Sequence, residues 1–118
     1  MSYQFYKILH LAGVLMIFLS VGAALVKAQL KDTSPTFKKN IGITHGIGLL
    51  LALLSGFSII TKIPLDNIGW IVAKIFIWVV FGVISVIAVR RPDFTKTVWI
   101  VSILLGALAA YLAVYKPF

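Results

Sequence analysis

Trp70-Ile71-Val72-Ala73-Lys74-Ile75-Phe76-Ile77-Trp78-Val79-Val80-Phe81 is the run whose reading decides the fold. It is apolar enough for the middle of a bilayer, yet it carries one lysine. A charge at the centre of a membrane helix costs about 2.5–3.5 kcal/mol on insertion scales, and it is tolerated where it finds a partner or a route to water. What Lys74 faces is the question that the rest of the chain must answer.

Three further apolar runs surround this one. Spans are expected over 6–26, 41–60, 69–89 and 98–115, each close to the ~20 residues that cross ~30 Å as a helix. Barrel strands are about half that length and alternate in polarity. The chain has 118 residues, 61% hydrophobic and only 12% charged, with a mean hydropathy of +1.07. A soluble domain has about 25% charged residues. These features predict an all-α integral membrane protein of one domain, residues 1–118, with the lipid bilayer as its first partner.

The connections are short. Residues 27–40 are polar and include the turn-like Asp32-Thr33-Ser34-Pro35; 61–68 contain Pro64 and Asp66-Asn67; Arg90-Arg91-Pro92-Asp93 closes the third span. Short loops make neighbouring spans antiparallel, so an up-down four-transmembrane-helix bundle is expected. The first apolar run is long for the hydrophobic region of a signal peptide, and it is expected to be retained as a span.

A net charge of +8 would suggest nucleic acid in a soluble protein. Here the cations flank spans, where they set orientation and meet anionic headgroups, so no nucleic-acid partner is expected. Lys27, Lys31, Lys38, Lys39, Arg90, Arg91 and Lys96 fall in or beside the first and third loops, against Lys7, Lys62 and Lys116 on the other side. The positive-inside rule then places loops 27–40 and 90–97 in the cytoplasm of a bacterial inner membrane, with the termini outside.

Chemistry is sparse. The absence of cysteine excludes disulfides, thiolate metal sites and thiol catalysis. Asp32, Asp66 and Asp93 all lie in connections, so a membrane carboxylate relay, and with it a small multidrug-type exporter, is disfavoured. No P-loop, zinc-protease motif, nucleophile elbow or dinucleotide fingerprint is found. Stripes of small residues run along the first span (Gly13, Ser20, Ala24), the second (Gly48, Ala52, Ser55, on the side of His45) and the fourth (Ser102, Gly106, Ala109, Ala113). They allow close helix packing, or leave room for a flat ligand between helices.

Within the spans stand His10, His45 and Lys74. The first and third spans enter from the same face, so His10 and Lys74 lie at similar depth. The second enters from the opposite face, which puts His45 roughly 15–20 Å away in height. One iron therefore cannot take both histidines of one chain. His10 with Lys74 fits, with Lys74 as a ligand after losing its proton or as a cation facing a ligand carboxylate. The plainer alternatives are histidines bonded to a neighbouring helix, His45 satisfied by Thr44 or Ser55, and a Lys74 that snorkels outward. Trp70 and Trp78 flank Lys74 at i−4 and i+4. Trp70 reads as an interfacial anchor, and Trp78 as a wall against a ligand or lipid.

Tyr6-Lys7-Ile8-Leu9-His10-Leu11-Ala12-Gly13-Val14 resembles the opening of the HemJ-type membrane protoporphyrinogen oxidases and their CopD-like relatives, with a lysine and then a histidine three residues later. Trp70-Ile71-Val72-Ala73-Lys74 is similar to the tryptophan and lysine that open a later span there, and Val114-Tyr115-Lys116-Pro117-Phe118 to the family's basic-Pro-Phe ending. The resemblance implies a four-helix membrane protein that binds haem b or a porphyrin. It makes His10 and Lys74 the essential pair; taken with the residue reading, His10 is expected as the metal ligand and Trp78 as a packing wall. It also implies an oxidoreductase acting on protoporphyrinogen and passing electrons to a further acceptor. Val21-Gly22-Ala23-Ala24-Leu25-Val26-Lys27 departs from the Pro-Arg pair and aromatics that the family carries there, and His45 has no counterpart. The competing expectation is a non-enzymatic module, a homo-oligomer, a small channel or a subunit of a larger membrane complex, with the small-residue stripes as interfaces.

Overall fold

Four long helices carry the chain, and the starts of the first two are written in capping residues rather than in hydropathy. A computed structural model describes residues 2–31 and 33–117. Helix α1 spans Tyr3–Gln29, α2 Pro35–Ile60, α3 Gly69–Arg90 and α4 Thr95–Tyr115, with a 3-10 turn at Pro92–Phe94 before α4. No strand occurs among the described residues. Ser2 caps α1 by accepting the Phe5 N–H at 3.2 Å, and Ser34 caps α2 by accepting the Phe37 N–H at 3.3 Å. Pro35 then fills the first helical position of α2, where its missing N–H costs nothing.

The first two helices therefore begin earlier than the apolar runs. Lys38 and Lys39 lie in the first turns of α2, and Lys27 in the last turn of α1, rather than in a loop. Hydropathy marks the hydrocarbon layer, whereas the helix continues through the headgroup zone until a cap ends it. Of the expected turn, Asp32 lies outside the described residues. Lys27 is buried, its ammonium 6.0 Å from the centroid of the Phe37 ring.

The helices alternate up and down. At one end the Gln29 Nε2 amide donates to Thr95 Oγ1 at 2.8 Å and to the Pro92 carbonyl at 3.3 Å, which places the first and third connections together. At the other end the Lys116 ammonium lies 5.4 Å from the centre of the Trp70 ring. The described residues extend 47 × 27 × 15 Å, long enough for a bilayer of about 40–45 Å with its headgroups. The outer surface is apolar: Leu15 and Leu19 are 69% exposed and Phe76 is 70% exposed. Faces of this kind suit lipid and not water. The membrane-protein reading thus stands on four helices, each long and apolar enough to cross.

α1 and α3 form the centre, and α2 and α4 occupy opposite corners, with no Cα of one within 8 Å of the other. The closest seam joins α1 to α2. A Cβ on Gly13 would lie 2.7 Å from the Ala52 nitrogen, and one on Gly48 would lie 2.9 Å from the Gly13 oxygen. Only glycine allows backbones to approach this closely, and without a hydrophobic drive in lipid such contact is what holds helices together. The stripe of small residues is therefore used for packing at this seam. Across the bundle Phe18 sits over Gly106 of α4, where a Cβ would meet the ring at 2.6 Å, and it makes an edge contact with Phe81 at 5.1 Å between centroids.

Candidate functional site

Because α2 and α4 stay apart, the half of the bundle that holds the chain's described ends contains a cavity of about 460 Å³. Residues from all four helices line it, His10, Lys74 and Trp78 among them. The volume falls within the ~300–1,000 Å³ of small-molecule sites. Its walls are apolar. Phe18 and Phe81, stacked edge to face, close it toward the bundle centre.

His10 is half-buried and held by α2. Its Nδ1 lies 2.9 Å from the Ala52 carbonyl and 3.3 Å from Ser55 Oγ. A carbonyl can only accept, so Nδ1 carries the proton and donates it. Ser55 is itself tied to α2 by donating to the Leu51 carbonyl. Nε2 is left as a lone pair with no protein partner among the described residues. A backbone carbonyl on one ring nitrogen and an open lone pair on the other is the arrangement that orients metal-ligating histidines. Gly56 makes room for the ring: a Cβ there would come within 3.4 Å of His10 Cε1.

His45 is a different kind of residue. It is buried, its Nε2 donates to the Phe81 carbonyl at 3.0 Å, and its Nδ1 meets Ser20 Oγ at 2.9 Å. Both ring nitrogens are occupied, so it ties α2 to α1 and α3 and offers nothing to a metal. Its partners are Ser20 and Phe81, not Thr44 or Ser55. Ser20 lies ten residues beyond His10 on α1, about 15 Å along the axis, at the lower edge of the height expected from sequence.

Lys74 lines the same cavity as His10, half-buried, and has no hydrogen-bond or ion-pair partner among the described residues. The Trp78 indole donates to the Leu49 carbonyl at 2.9 Å, which pins the ring between α3 and α2 as part of the cavity wall. Trp70 is not a lipid-facing anchor. It is buried, with its indole donating to the Asn67 carbonyl at 3.1 Å. By position in the sequence, Lys7 and Lys116 count only as orientation charges near the ends of spans, yet both line the cavity with Lys74. The signal for Lys116 was present in the following Pro117, which marks a helix stop. Lys116 caps α4 in the left-handed conformation, φ 47°, and its ammonium folds back onto the Ala113 carbonyl at 3.0 Å.

Among the described residues no three of His, Cys, Asp and Glu stand together. A bare metal ion thus lacks a ligand set, whereas an iron already held by a macrocycle needs only one or two protein ligands. No protein-family model, curated protein or solved structure matches the chain.

Proposed function

We propose that the protein binds haem b or a related porphyrin in this cavity, where His10 Nε2 would hold the iron. The observation that carries the proposal is the His10 ring itself: Nδ1–H is fixed on the Ala52 carbonyl at 2.9 Å, and Nε2 is open at an apolar cavity of about 460 Å³. Trp78 supplies a flat wall, and Lys74 completes the pair expected from the resemblance. When bound, haem would supply one-electron redox chemistry; the residues of this chain bind it, orient it and keep water from its faces. The resemblance to the HemJ-type enzymes extends the reading to oxidation of protoporphyrinogen in the bacterial inner membrane, with loops 27–40 and 90–97 cytoplasmic and the cavity toward the outer face.

The test is spectroscopic. Protein purified in mild detergent and supplied with haem is expected to show a Soret band and b-type bands on reduction. His10→Ala is expected to remove them and His45→Ala to keep them. A chain that stays colourless after haem addition sinks the proposal. Gly13 and Gly48 at the α1–α2 seam are used for packing within one chain, so they offer no interface to the oligomeric-module reading.

A further inference from the structure

The cavity is apolar on its walls but not at its rim. Lys7, Lys74 and Lys116 come from three different helices and line the same cavity. No aspartate or glutamate lines it with them. Among the described residues the only acid near this end of the bundle is Asp66, exposed in the connection before α3 and in no ion pair. Three like charges around a low-dielectric hollow repel one another, and nothing among the residues that line it neutralises them.

The placement of Lys116 is specific. Its backbone is left-handed, a conformation that residues with a Cβ rarely adopt. The ammonium turns back to the Ala113 carbonyl and over the face of the buried Trp70. Ala113 and Trp70 both line the cavity, so the ammonium is held against it. Lys7 likewise lies over the Tyr3 ring, 5.8 Å from its centroid, and Tyr3 also lines the cavity. Two of the three cations are thus held by aromatic faces at the opening.

We propose that Lys7, Lys74 and Lys116 form a carboxylate-recognising rim, so that the site selects amphiphiles with an apolar body and an acidic end. An apolar cavity with a few convergent charged groups binds a ligand by its body and chooses it by its head. Lysine recognises such a group as a point charge, tolerant of its orientation. The inference deepens the reading above and rests on it for the porphyrin ring, but not for the selectivity for acids.

The test uses metal-free protoporphyrin IX, a diacid, and its dimethyl ester, which has the same ring without the charges. Without iron, axial ligation plays no part. Fluorescence titration of the full chain in neutral detergent, corrected for partition into empty micelles, is expected to show the diacid binding about tenfold tighter than the diester, the equivalent of one charge-assisted hydrogen bond. Lys7→Gln and Lys116→Gln are each expected to weaken the diacid roughly threefold or more and to leave the diester unchanged, while the arginine variants retain the preference. A pyrene-labelled long-chain fatty acid and its methyl ester form the second arm. Preference for the fatty acid without porphyrin binding would uphold the rim and end the haem reading. Equal binding of acid and ester in both arms, or a preference untouched by the lysine variants, overturns the proposal.

Discussion

Gly13→Ala should loosen the bundle and the site together. The added Cβ would lie 2.7 Å from the Ala52 nitrogen and 2.9 Å from the Gly48 oxygen, both backbone atoms in the middle of α2. They cannot swing aside as a side chain would. Bringing the 2.7 Å contact to an ordinary separation of about 3.4 Å requires α2 to retreat by about 0.7 Å. The same retreat carries the Ala52 carbonyl from 2.9 Å to about 3.6 Å from His10 Nδ1, beyond hydrogen-bond range. Overpacking costs about 1–3 kcal/mol, and the lost bond adds about 0.5–1.5 kcal/mol. The control lies on the same helix: a Cβ added to Gly22 would meet nothing within 4 Å, so Gly22→Ala should be neutral or slightly stabilising. Helicity followed by circular dichroism during denaturation in mixed micelles compares the two. Haem uptake should fall in Gly13→Ala and persist in Gly22→Ala. Equal stability of the two variants would refute the close seam, and with it the reason His10 is oriented.

Other expectations follow from single contacts. His45→Ala removes the link from α2 to Ser20 and the Phe81 carbonyl, and should cost about 1–3 kcal/mol in the same denaturation assay while leaving haem binding in place. Gly106→Ala puts a Cβ 2.6 Å from Phe18 Cζ and drives the ring from its seat against Phe81, so porphyrin affinity should drop roughly tenfold in a fluorescence titration. Trp78→Phe keeps the aromatic wall but frees the Leu49 carbonyl from the indole; it should shift the Soret maximum without abolishing it. The chain has no cysteine, so orientation is read by adding one. An impermeant maleimide applied to intact cells should label Lys62→Cys and not Lys39→Cys; the reverse pattern would invert the topology.

Four crossings and their alternation were legible because apolar runs of this length admit no other structure in lipid. The ends of α1 and α2 were not, since Ser2, Ser34 and Pro35 set them by capping outside the apolar runs. That His10 and Lys74 lie in the same half of the bundle was legible as a matter of height, because rise per residue fixes depth. What each histidine bonds was not: His10 finds a carbonyl on α2, and His45 finds a serine on α1 and a carbonyl on α3, partners set by the faces that packing brings together. Lys7 and Lys116 read as orientation charges because a one-dimensional count assigns a cation to a side, not to a cavity. The burial of Trp70 escaped for the same reason, as the run that carries it is apolar on every face.

The most direct measurement is the absorption spectrum of the purified protein after haem addition, oxidised and then reduced, in the wild type, His10→Ala and His45→Ala. Soret and reduced b-type bands in the wild type and His45→Ala, absent from His10→Ala, are the predicted result. Bands that survive His10→Ala, or a wild type that takes up no haem, would contradict the assignment of His10 as the ligand.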